Sequence, residues 1–164
     1  MSAFAIQPEA LRDLVAAALG DQVRSVTIKL GEVTVEVASS NYLEVMRKLR
    51  DTPGCQFEQL IDLCGVDYST YKDMGTEGSR FAVVVHLLSV SLNQRIRVRT
   101  YCADDDFPMV PSVMNLWSSA NWFEHPDRLR LYRSSFPQGL PAVWSRRNGV
   151  RHRTASRGLS TCHD

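Results

Sequence analysis

The residues with the types and spacing to do chemistry are few, and they fall in four places. Asp104, Asp105 and Asp106 are three adjacent carboxylates that could hold a divalent cation. Adjacent acids on a turn ordinarily face water, however, and no spaced partner such as the ligand set of an EF-hand accompanies them. Asp62 and Asp67 flank Gly65 without a nucleophile or second carboxylate placed beside them, which fits capping and loop hydrogen bonding better than acid–base work. His86 lies within the apolar run Phe81–Leu88, where a satisfied core histidine is expected rather than a catalyst. Arg95, Arg97 and Arg99 project from one face of a strand, because side chains alternate with period two. That stripe suits phosphate or an acidic partner, and equally suits a solvated face. No Gly-rich phosphate loop, nucleophile elbow or His-Glu-x-x-His pair is present. The expected catalytic, cofactor-binding and metal-binding residues are therefore none.

The four cysteines, Cys55, Cys64, Cys102 and Cys162, are scattered, with no Cys-x-x-Cys pair. Buried thiols in a reducing compartment are expected, and a structural metal site is not. The amino terminus carries no basic segment followed by an apolar run, so no secretory signal is expected. No apolar run approaches the ~20 residues that span a bilayer.

The elements that would position these residues follow from periodicity. Pro8 opens a helix carrying Leu11, Leu14, Val15, Ala18 and Leu19, and Gly20 stops it. Val26, Ile28 and Leu30 alternate, as do Val33, Val35 and Val37, with Gly31-Glu32 between them, which predicts a hairpin. Ser39, Ser40 or Asn41 caps a second helix bearing Tyr42, Val45, Met46 and Leu49, ended by Thr52-Pro53-Gly54. Phe57, Leu60, Ile61 and Leu63 read as a short third helix closed near Gly65, followed by a polar loop from Tyr68 to Ser79. Phe81–Leu88 predicts a central strand covered on both faces, and Gln94–Cys102 returns beside it. Pro111 starts a last helix with Val113, Met114, Leu116 and Trp117. The expected fold is α+β: a mostly antiparallel sheet of about four strands with helices on one side.

Charge divides the chain at Glu124. Residues 1–124 hold 11 basic and 16 acidic side chains, whereas residues 125–164 hold 8 Arg, no Lys and 2 acids. The whole-chain balance of +1 describes neither part.

Several segments together resemble the C subunit of the proton-pumping NADH-quinone oxidoreductase, respiratory complex I. They are Leu60 through Tyr68, Arg80-Phe81 with His86 through Ser89, Arg95 through Val98, and Pro111-Ser112-Val113 with Trp117 and Ala120 through Glu124. They occur in the family's order and cover roughly residues 55–124; the amino-terminal part fits only loosely. The resemblance implies a hydrophilic accessory subunit without a cofactor of its own, the FMN and iron–sulfur centres lying in partner subunits. It implies peripheral placement on the cytoplasmic side of the bacterial inner membrane, packed against the quinone-site D subunit and its neighbours, with no nucleic acid bound.

The departure is at Glu124. The family continues with an acidic-basic-acidic triplet and an aromatic-Gly turn, whereas His125-Pro126-Asp127 follows here. That triplet resembles one found a little downstream in the family. Dropping the first base of the Arg128 codon and reading on, with synonymous codons chosen, turns Arg128–Val143 into DYGFIGHPFRKDFPLS. Continued to His163, the same shift ends in YQPVT. These resemble the family's carboxyl-terminal end. The expected domains are thus an α+β domain over 1–124 and an aberrant, out-of-frame and poorly ordered basic tail over 125–164. The alternative is a free-standing nucleic-acid-binding protein using the Arg95–Arg99 stripe and the tail's Arg residues with Tyr132, Phe136 and Trp144.

Overall fold

A computed structural model describes residues 6–69, 80–106 and 108–124. The polar loop expected up to Ser79 lies mostly outside the described residues, as does everything expected of 125–164. Helix α1 spans Pro8–Leu19, with Pro8 at its first position, where a missing N–H costs no hydrogen bond. Leu11, Val15 and Leu19 form its buried stripe. Gly20, at φ 54°, ends it and returns its N–H to the Ala16 carbonyl. One 3-10 turn, Gly20–Gln22, leads into β1 (Val23–Lys29). The turn to β2 (Glu32–Val37) is made by Leu30 and Gly31, at φ 53° and 78°. Two successive positive φ values match the twist of the flanking strands. The hairpin is therefore as expected, but Glu32 belongs to the strand rather than to the turn.

Helix α2 (Tyr42–Asp51) buries Tyr42, Val45, Met46 and Leu49 and keeps the Glu44–Lys48 pair at 3.9 Å on its exposed side. Asn41 precedes its first residue, with no side-chain capping bond. Beyond Gly54 the chain enters β3 (Gln59–Asp67), not the expected third helix. A register shift between Leu60 and Asp62 explains the misreading. The extra residue breaks the alternation, so Leu60 and Leu63 both turn inward three positions apart, a spacing that imitates a helix. Strands β4 (Phe81–Ser89) and β5 (Gln94–Tyr101) are as expected.

Among the described residues the sheet thus has five strands, where about four were expected, in the order β1-β2-β5-β4-β3. Among these described strands only the β2–β5 pair is parallel. Its crossover contains α2, β3 and β4. Val33, Val35, Ile96, Val98, Val83, Val85 and Leu87 face α1 and α2 in one continuous core. Each such fully buried aliphatic side chain contributes about 1.5–3 kcal/mol.

The expected last helix is reduced and displaced. Residues 113–117 make a single turn, with Leu116 and Trp117 returning N–H groups to the Val113 carbonyl, and α3 spans only Ala120–Phe123. Side-chain oxygens take the first N–H groups of the segment: Val113 donates to Glu124 and Met114 to Ser112. Trp117 is buried, its indole N–H donating to the Phe57 carbonyl at 3.1 Å.

Candidate interaction surface

The face of the sheet opposite α1 and α2 carries most of the residues singled out by type. Its centre is a polar row. In register, Asp62 lies opposite His86, and His86 opposite Arg97. The Arg97 Nε donates to His86 Nε2 at 3.0 Å, and its Nη2 reaches Glu32 at 2.6 Å. His86 is half-buried on this polar face, not in the core as expected. Its Nε2 accepts, so the ring is held in the tautomer protonated at Nδ1. One step along, Arg99 Nη2 meets Glu36 at 2.6 Å, and its guanidinium lies 5.3 Å from the Tyr101 ring centre.

These pairings settle the arginine stripe. Parallel pairing of β2 with β5 puts Glu36 opposite Arg99 and brings Glu32 within reach of Arg97. Two of the three cations expected to attract phosphate are thus already matched by acids of the neighbouring strand; Arg95 is exposed at the end of the row. No local pattern signals these pairs, since 63 residues separate Arg99 from Glu36.

Cys64 shares this face with Asp62 two residues away. Burial, and then the Asp62 charge, push its thiol up, the opposite of what a nucleophile needs. Cys55 and Cys102 are buried, and burial pushes the Cys102 thiol up to about 12. Cys162 is outside the described residues.

Of the acidic candidates, Asp62 lies within β3 opposite His86, not on a cap or loop as expected, whereas the others bond loop segments. Asp67 accepts from Arg80 Nε and Nη2 at 2.9 and 2.7 Å, which holds its carboxyl down at about 2. Asp105 accepts the Arg80 backbone N–H at 3.0 Å, and Asp104 that of Asp106 at 2.9 Å. Arg80 is therefore gripped from both sides where the chain re-enters the sheet at β4. Among the described residues, no three His, Cys, Asp or Glu side chains gather as a metal site. Nor is any helix among them long and apolar enough to cross a membrane.

One carboxylate, noted in the sequence as a family residue and not as a site, is buried. Glu124 is 3% exposed. It accepts from Ser112 Oγ at 2.5 Å and from the Val113 N–H at 3.0 Å. Burial raises its pKa, and those two hydrogen bonds partly offset the rise. Burial, and then the nearby Glu124 charge, push the Tyr42 hydroxyl up. Residues 58–60 and 116–119 line an open groove of about 430 Å³.

What these features define is an α+β domain built on a five-stranded, mostly antiparallel sheet, with Arg–Glu pairs across the face opposite α1 and α2. Residues 35–126 match the family described as respiratory-chain NADH dehydrogenase, 30 Kd subunit, and the chain belongs to that family. It is 62% identical over 124 residues to the NADH-quinone oxidoreductase C subunit of Verminephrobacter eiseniae, a match covering 76% of this chain and 61% of that relative. The corresponding C subunit of Burkholderia multivorans is 54% identical over 136 residues, covering 75% and 68%. The chain thus spans about three fifths to two thirds of the length of the curated relatives it matches. Among solved structures, the trypsin-resistant fragment (1-134) of Nqo5 superposes with a TM-score of 0.61 at 28% identity, covering 80% of this chain and 97% of that one. A chain of the archaeal membrane-bound sulfane sulfur reductase shares the fold alone, at a TM-score of 0.55 and 16% identity.

Proposed function

We propose that this chain is an accessory subunit of a proton-translocating NADH-quinone oxidoreductase, and that it performs no chemical step itself. Electrons pass from NADH through FMN and iron–sulfur centres in partner subunits to quinone, while this domain assembles and positions the quinone-reducing module. It packs against the quinone-site D subunit and its hydrophilic neighbours. It is held at the cytoplasmic side of the bacterial inner membrane only through the complex, and takes no nucleic acid. The observation that carries this reading is the family match over 35–126, which runs through β2 to α3 and so includes most of the sheet. The matched pairs Arg97–Glu32 and Arg99–Glu36 support it against the nucleic-acid alternative.

The domain boundary at residue 124 belongs to the same proposal. In the Burkholderia multivorans match, 75% of 164 residues is about 123, some thirteen short of the 136 aligned positions. A block of the relative therefore has no counterpart here, and we place it after Glu124, where the expected signature is skipped. On this reading residues 128–164 are an out-of-frame rendering of the family's carboxyl terminus, and the tail's positive charge carries no function.

Co-purification tests the function. A tagged chain whose ending is repaired to the family's pattern is expected to recover the D subunit and its hydrophilic neighbours from the host. Recovery of none of them, with steep salt-dependent binding of RNA or DNA instead, overturns the assignment.

A further inference from the structure

Asp62 of β3, His86 of β4 and Arg97 of β5 are successive partners in register across the sheet face opposite α1 and α2. Residues directly opposite each other on neighbouring antiparallel strands hold their Cβ atoms about 4.5–5.5 Å apart. The His86 ring therefore has a charged neighbour of each sign within reach. It is bonded to one of them: Arg97 Nε donates to His86 Nε2 at 3.0 Å, while Arg97 Nη2 is held by Glu32 of β2. The Asp62 carboxylate, half-buried like the ring, takes part in no hydrogen bond or ion pair among the described residues.

The other groups on this face leave the ring to those two. Val84 and Leu88, which flank His86 along β4 on the same side, are apolar. From β3, Cys64 lies two residues beyond Asp62, its thiol pushed up by burial. From β5, Arg99 is held by Glu36 of β2, and Arg95 is exposed at the end of the row. A guanidinium offers donors only, so the Arg97 bond lasts only while His86 Nε2 keeps its lone pair. Proton uptake at Nε2 removes that acceptor and leaves two positive groups at hydrogen-bonding distance. A carboxylate stays ionised well below the pH at which an imidazole gains a proton, so Asp62 then stands charged and opposite.

We propose that His86 is an acid-sensitive switch on this face: on protonation its ring leaves Arg97 and pairs through the new Nε2–H with Asp62. The side chain turns about its own χ angles from the β5 side to the β3 side. Arg97 keeps Glu32, so one cross-strand tie is exchanged for another and the backbone ladder stays intact. Asp62 and Glu32 outnumber Arg97 as charges in the row, and the proton on His86 supplies the missing positive charge. Histidine is the side chain whose charge ordinarily changes near neutral pH, and exchange of partners is how such a residue turns acidity into a change of surface. The switch holds whether or not the family assignment does.

Proton–nitrogen NMR correlation of the imidazole and guanidinium groups, on the isotope-labelled full chain from about pH 8 to about pH 5, tests it. His86→Gln picks out the ring's signals from those of the other three histidines. At the upper end the expected ring is protonated at Nδ1. As it takes up its second proton, the Arg97 Nε–H signal moves along the same titration curve, and a slowly exchanging imidazolium Nε2–H appears. Asp62→Asn is expected to speed the exchange of that proton several-fold and to leave the Nδ1-protonated form at high pH unchanged. The titration of the parent chain needs no variant to fold. A ring protonated at Nε2 at the upper end, an Arg97 signal that stays in place while the ring titrates, or Nε2–H exchange unaltered by Asp62→Asn each overturns the proposal.

Discussion

The Glu124 carboxylate accepts the Val113 backbone N–H at 3.0 Å, joining the end of α3 to a segment eleven residues earlier. With Ser112 on its other oxygen, it closes the last turn of the fold onto the core beside Tyr42.

Removing that acceptor leaves a buried N–H unsatisfied. Glu124→Ala is expected to cost about 1–3 kcal/mol in chemical denaturation. Glu124→Gln keeps an oxygen for Val113 and an amide for Ser112, so it should cost far less. The raised pKa sets the sign with pH. The folded state holds this proton more tightly than the unfolded chain, so the group's contribution weakens as pH rises from about 4.5 through the folded value. Glu124→Gln should abolish that component; an unchanged pH profile in the variant would contradict the assignment.

Asp67 behaves in the opposite sense. Its pKa falls from 3.8 in the unfolded chain to about 2 on folding, chiefly through the Arg80 guanidinium. The stability it contributes is complete above the unfolded value and is lost as pH falls from 3.8 towards 2. Asp67→Asn should flatten this acid limb in denaturation midpoints measured across that range. A limb as steep as that of the parent would sink the account of the clasp.

Strand β3 is testable by paired substitutions. Leu63→Ala, at a buried position, is expected to cost about 2–5 kcal/mol. Ile61→Ala, at an exposed one, should fall within about 1 kcal/mol. Equal large losses would fit the helix that the sequence spacing implies, in which both residues share the apolar face.

The proposed boundary predicts a trypsin pattern. Arg95, Arg97 and Arg99 lie within hydrogen-bonded β5, whereas the proposed tail begins at residue 125. Limited digestion should leave a stable product ending between Arg128 and Arg133, much as the (1-134) fragment of Nqo5 is trypsin-resistant. Early cleavage in β5, or survival of the whole chain, would contradict the boundary.

What was legible in the sequence was what obeys simple periods. The stripe Leu11, Val15, Leu19 and the alternation of Val33, Val35 and Val37 located α1 and β2 correctly. The bulge at Leu60–Asp62 defeated the same logic by giving a strand a helical spacing. The Arg–Glu pairs were invisible because they depend on parallel pairing of β2 with β5, which no local pattern encodes. Glu124 was legible as a family residue but not as a buried latch, since its partners Ser112 and Val113 carry no distinctive side-chain signal.

The nucleotide sequence of the gene from the codon of Glu124 to its end bears most directly on whether the family domain stops there and the basic tail is a product of reading frame. The account predicts that a one-base shift beyond Asp127 opens a frame encoding GHPFRKDFPL and ending near YQPV. A shifted frame interrupted by stop codons, or one encoding neither segment, would contradict it and return the eight arginines of the tail to the protein as a feature of its own.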